Sequence, residues 1–221
     1  DQRAYEDFCA NQEAVEKFTL DKPALICRWR MSNKKVPMLN RHIRALSERL
    51  VQGEPLTHNM LSWAKQHVEW SLAEGDYTAR DGVLMLVIDV NGNAAMTVGE
   101  YEPLADTSAK ALRARSAEAR SEADETGVAP ELLAAVNNGE LAFVAPGDEC
   151  LCGTATLIEQ LAQTKGILVT RVDIPAQLKG ALFLVSDEHG VVPATETDAA
   201  EADAATVAFF ADGYEKLRAR R

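Results

Sequence analysis

The sequence predicts an α+β protein of two domains, a small α+β domain over residues 1–103 and an α/β domain over residues 104–221. Three observations lead there. In the first half, two hairpin signals bracket a pair of amphipathic helical stretches. The segment EYEPLADT at 100–107 then breaks every periodicity and carries Pro103, as an interdomain linker does. From 139 to 194 the chain alternates strand, loop, helix, strand, short helix or loop, and strand.

Residues 4–18 place Phe8, Val15 and Phe18 among charges, a surface-helix pattern. Residues 24–30 and 35–39 flank the polar Met31-Ser32-Asn33-Lys34 and read as a hairpin. A helix over 40–51 puts Ile43, Leu46 and Leu50 on one face. A second over 58–74 does the same for Leu61, Ala64, Val68 and Leu72 and stops at Gly75. Trp63, His67 and Trp70 form another stripe of that second helix, suited to core or subunit packing. Residues 82–90 and 93–98 around Asn91-Gly92 give the strongest hairpin signal, because Asn-Gly favours a type I′ turn.

After the linker, residues 108–125 are rich in alanine, arginine and glutamate and end before Gly127, so they are predicted helical with Leu112 as the lone large apolar residue. Asn137-Asn138-Gly139 marks a turn between two apolar runs. Gly153-Thr154-Ala155-Thr156 precedes Leu157, Ile158, Leu161 and Ala162, with Thr156 and Glu159 at capping-box spacing. Such a terminus offers free N–H groups to an anion, or is simply a capped helix; both readings stand on these residues alone. Residues 199–221 close the chain as a helix with a basic end.

The chain carries 34 acidic against 23 basic residues, a net charge of -11, which repels phosphates, so neither nucleic acid nor an anionic membrane surface is an expected partner. The apolar runs at 83–88 and 181–185 are too short to span a bilayer. Residues 1–10 lack the basic and then apolar pattern of a secretory signal, and Cys9, Cys27, Cys150 and Cys152 make no disulfide framework. A cytoplasmic protein with reduced thiols is expected. Cys150-Leu-Cys152 is not a C-x-x-C pair and no histidine stands at ligand spacing to it, so no metal site is expected.

Further residues carry a resemblance. Pro146, the run Glu149-Cys150-Leu151-Cys152-Gly153-Thr154, a valine-rich strand about ten residues beyond its helix, Leu182-Phe183-Leu184-Val185-Ser186 and Gly190-Val191-Val192-Pro193 together resemble the C-terminal half of class IV PLP-dependent enzymes. These are the branched-chain and D-amino-acid aminotransferases and aminodeoxychorismate lyase. The strand pair leading to His42-Ile43-Arg44-Ala45-Leu46 is similar to their N-terminal domain. The resemblance implies the two-domain class IV aminotransferase-like fold trimmed in its second domain, pyridoxal 5'-phosphate as cofactor, a small-molecule amino substrate and a homodimer. It further implies Lys110 as the Schiff-base lysine and Gly153, Thr154, Ala155 and Ser186 at the cofactor phosphate.

Several positions depart from that pattern. The family's phosphate-binding arginine falls on Ala45, and neighbouring Arg44 is about 100° away around the helix. The family's threonine falls on Ala155, and Asp187 stands where a hydroxyl is usual. The turn carrying the glutamate that pairs with the pyridine nitrogen is missing between Glu131 and Leu132, and a strand and loop are missing between Leu104 and Lys110. Two functions follow as expectations: a PLP-dependent transferase or lyase, or a catalytically degenerate homologue that keeps the fold as a binding or regulatory homodimer.

Overall fold

In a computed structural model, residues 20–75, 80–195 and 198–220 are described. The helix expected over 4–18 lies outside them. The first sheet is antiparallel, in the order β1 (Pro23–Met31), β4 (Gly82–Asp89), β5 (Ala94–Gly99). Between β1 and β4 the chain forms α1 (Leu39–Ser47), a two-residue ladder of β2 (Leu50–Val51) with β3 (Glu54–Pro55), and α2 (His58–Glu74). Leu25, Trp29, Leu84 and Leu86 of the sheet pack with Val68 and Leu72 of α2 in one apolar cluster.

The second sheet has five strands in the order β10 (Gly190–Pro193), β9 (Ala181–Ser186), β6 (Leu132–Asn137), β7 (Glu140–Val144), β8 (Val169–Val172). All its pairs are antiparallel except β7 with β8, which need the crossover helix α4 (Gly153–Thr164) between them. Helix α3 (Ala109–Thr126) precedes this sheet and α5 (Glu201–Arg218) follows it. Strand alternation sorts the side chains. Leu133 and Leu184 meet Leu112 of α3 on one face, while Ala134 and Phe183 meet Ile158 of α4 and Phe210 of α5 on the other. Because both faces are covered, β9 is buried at every position, and its run of apolar residues follows from that.

Several expected elements form as read. Helix α2 covers 58–74, with Thr57 Oγ1 accepting from the Met60 N–H. Helix α3 opens on Ser108, whose Oγ accepts from the Ala111 N–H, and closes on Gly127 at φ 68°, the left-handed conformation a glycine cap adopts freely. Asn138 and Gly139, at φ 49° and 77°, make the two-residue link from β6 to β7 with the positive angles of a type I′ turn. The Asp203 carboxylate of α5 accepts from both of their N–H groups, at 3.0 and 2.9 Å.

Others differ, for identifiable reasons. Residues 24–30 do not pair with 35–39: β1 takes β4 along its whole length, and only the bridge Ser32 to Lys35 remains of the expected hairpin. The first helix ends at Ser47 instead of 51, because Gln52 and Gly53, both at positive φ, turn the chain into the small β2–β3 ladder and leave Leu50 exposed. The Asn91-Gly92 turn is not type I′. Only Gly92 has positive φ, and the buried Asp89 carboxylate organises the loop by accepting from the Asn91 and Asn93 N–H groups. Thr156 is not a cap either: α4 starts three residues earlier, with Cys152 at its N-cap, and Thr156 Oγ1 donates back to the Gly153 carbonyl.

Candidate functional site

A cleft of about 100 Å³ opens where β1 and α1 face α3, the N-terminus of α4 and the end of β9. Sequence-local features bring its parts together. Gly153 lets α4 approach α1 closely: a Cβ there would lie 2.6 Å from His42 Nδ1 and 3.1 Å from the His42 backbone nitrogen. His42 in turn stacks on Trp29 of β1, with ring centroids 5.1 Å apart and planes 7° from parallel. At the end of β9, Asp187 uses its carbonyl to accept from the Arg30 N–H of β1 at 3.0 Å.

The geometry at the tip of α4 decides what the cleft can hold. Thr154 is fully buried, and its N–H and its hydroxyl both donate to Asp187 Oδ1, at 2.9 and 2.8 Å. The other carboxylate oxygen lies 3.6 Å from His42 Nδ1. Burial alone would raise the Asp187 carboxyl, but the nearby His42 ring and the two Thr154 donors outweigh it and hold the group below the usual carboxylate range. An anion therefore already sits at the positive end of the helix dipole, and it belongs to the chain.

Across the cleft, Arg115 of α3 donates through Nε and Nη2 to Glu131 Oε1, at 2.9 and 2.7 Å, and approaches Glu188 Oε2 at 3.9 Å. Arg49 Nε donates to the Gly127 carbonyl at 2.7 Å, fixing another cation at the wall, and Arg28 lines the cleft beside it. Two buried thiols, Cys27 and Cys152, complete the apolar part. Burial and then the Asp187 charge push both upward, so neither is a ready nucleophile.

Of the residues expected at a cofactor phosphate, Gly153, Thr154 and Ala155 do form the tip of α4, and Ser186 does end the neighbouring strand β9. Their side chains are otherwise employed. Ala155 is packed in the second core, and Ser186 Oγ accepts from the N–H groups of Glu188 and His189, closing the β9–β10 turn. Lys110 is exposed on the first turn of α3 and is not among the residues lining the cleft. Ala45 lines it, whereas Arg44 is exposed outside it, as the rotation per residue along α1 requires.

These residues do not fit a pyridoxal phosphate. The Thr154 N–H and hydroxyl at the helix tip are spent on Asp187, a second negative charge in the same space would meet that carboxylate, and the position where the resemblance expects an arginine is Ala45. Among the described residues, no group of three or more His, Cys, Asp and Glu is arranged to hold a metal ion, and no helix is long and apolar enough to cross a membrane.

Residue-by-residue reading of the sequence missed the Trp29–His42–Asp187 column and the Arg115–Glu131 pair. The signal for the pair was present: Arg115 lies three residues after buried Leu112 and four before buried Ala119, so it points inward from an otherwise charged helix.

No protein-family model matches the sequence, and no curated protein matches it. Solved structures do resemble its fold. A candidate branched-chain amino acid aminotransferase from Thermotoga maritima aligns over 92% of each chain at 15% identity with a TM-score of 0.60. The 4-amino-4-deoxychorismate lyase from Pseudomonas aeruginosa aligns over 85% of this chain and 90% of its own, at 15% identity and a TM-score of 0.57. A hypothetical aminotransferase from Mycobacterium tuberculosis in its PLP-bound form aligns over 87% and 89%, at 11% identity and 0.56.

Proposed function

From the class IV aminotransferase-like fold and a cofactor seat filled by the chain itself, we propose that this protein is a catalytically degenerate relative of those enzymes. It works as a binding or regulatory homodimer that takes a small polar molecule into the cleft and performs no PLP chemistry. The observation that carries this reading is the pair of hydrogen bonds from Thr154 to Asp187 Oδ1. A phosphate monoester would need those donors, and displacing the carboxylate would leave it buried without them, which costs on the order of 1–3 kcal/mol or more for a charged group.

The walls support binding of a polar ligand. Arg28, Arg49 and Arg115 line the cleft together with Glu122, Glu131 and Glu188 and with apolar residues that include Trp29 and Leu46. Exposed Lys110 supplies no amine there. A spectrum of the purified protein with and without added PLP tests the reading. The expected result is no new visible band and no borohydride-fixed adduct. A band that borohydride fixes onto Lys110 would return the chain to the transferases or lyases. Light scattering checks the homodimer, and a monomer at all concentrations removes that part alone.

A further inference from the structure

Helix tips hold anions because their first N–H groups lack partners within the helix. At α4 the anion is Asp187, and the fit is incomplete. Its Oδ1 takes both Thr154 donors, while Oδ2 stops 3.6 Å from His42 Nδ1, beyond hydrogen-bond reach. That ring nitrogen makes no hydrogen bond, although the His42 side chain is only 1% exposed. It is packed against the same tip, 2.6 Å from where a Gly153 Cβ would lie. As seated, the carboxylate serves both Thr154 donors and stops short of the imidazole. A tetrahedral oxyanion, with oxygens pointing four ways, can serve all three.

We propose that the Asp187 carboxylate is a built-in replacement for a free phosphate, and that the seat formed by the Thr154 N–H, the Thr154 hydroxyl and His42 Nδ1 becomes an anion site once that carboxylate is removed. The inference rests on the reading that the chain works without PLP, and it adds what the carboxylate does. It carries the charge that sits between Thr154 of α4 and His42 of α1, so the native protein needs no soluble anion to hold those two helices together.

The test is thermal unfolding and calorimetric titration of wild type, Asp187→Ser and Asp187→Asn, with inorganic phosphate as the probe and chloride at matched ionic strength as reference. Wild type is expected to show no phosphate-specific change. Asp187→Ser is expected to melt lower in chloride, to recover saturably with phosphate, and to bind phosphate at least about tenfold more tightly than wild type. Asp187→Asn keeps an acceptor oxygen at Thr154 and is expected to fall between the two. Adding Thr154→Val to Asp187→Ser is expected to abolish the phosphate response. If Asp187→Ser does not fold in chloride, its refolded yield from denaturant against phosphate concentration gives the same readout. A response to phosphate no larger than to chloride, or equal in wild type and Asp187→Ser, overturns the proposal. A PLP band in wild type would instead overturn the cofactor-free reading while leaving the phosphate titration to stand on its own.

Discussion

Thr154 gives both of its donors to one oxygen of Asp187, thirty-three positions along the chain, and so ties the first turn of α4 to the end of β9. The residue before each partner also has its side-chain space spoken for: Gly153 lies against His42, and Ser186 holds the following turn. The tip of α4 is therefore a closed arrangement in which a change at one position is felt by the others.

Thr154→Val keeps the volume and the backbone N–H but removes the hydroxyl from a fully buried site. The loss of one charge-assisted hydrogen bond should lower stability by roughly 1–3 kcal/mol. Urea unfolding of the variant against wild type checks it.

Gly153→Ala puts a methyl group 2.6 Å from His42 Nδ1 and 3.2 Å from the Arg41 carbonyl carbon. Since the neighbours include α1 backbone, α1 and α4 must move apart, at a cost of roughly 1–3 kcal/mol despite the better helix propensity of alanine. Urea unfolding checks it, and a variant as stable as wild type would mean that α1 and α4 are not in close contact at Gly153.

The Asp187 carboxyl titrates below its ordinary value of 3.8 in the folded chain. Its contribution to stability is therefore complete above about pH 4, and it is lost as pH falls through the folded value. Asp187→Asn should remove that part of the acid limb, seen as a flatter fall of the unfolding midpoint below about pH 4.

His67 moves stability over a different range. Burial against Trp63, with ring centroids 4.9 Å apart, lowers its value from 6.5 to about 4. The unfolded chain takes up this proton first, so stability should decline as pH drops from 6.5 toward 4 and stay level above 6.5 with respect to this group. His67→Gln should be less sensitive across that interval, measured by denaturant midpoints at several pH values.

Lys110→Ala, at an exposed position, should change stability by no more than about 0.5 kcal/mol and leave ligand binding in the cleft unaltered. A large loss of any turnover in this variant would point back to catalysis.

Much of the fold was readable because strong local signals agreed with tertiary packing. Thr57, Ser108 and Gly127 bound their helices where capping chemistry puts them, and Asn138-Gly139 makes the turn its residues favour. Elsewhere a distant partner won. Residues 24–30 looked ready to pair with their near neighbours, but β4 offers a longer and more apolar ladder. Asn91-Gly92 lost its type I′ geometry to the carboxylate of Asp89, and a side chain two residues away does not show in a dipeptide signal. At the site, the family pattern marked the tip of α4 and the end of β9 and flagged Asp187 as out of place beside a phosphate. That Asp187 accepts both Thr154 donors could not be read from spacing, because it depends on the side-chain direction at the end of a strand.

The contact from Arg30 to the Asp187 carbonyl, and that from Arg218 Nη1 to Ser32 Oγ at 3.1 Å, impose an order on biosynthesis. A ribosome-bound chain can pair β1 with β4 early, but this edge of the first sheet must wait for Asp187 and Arg218, which are made long after β4. Nascent protein is thus left with an unfinished flank until those two residues emerge, and that flank is where a chaperone would find it.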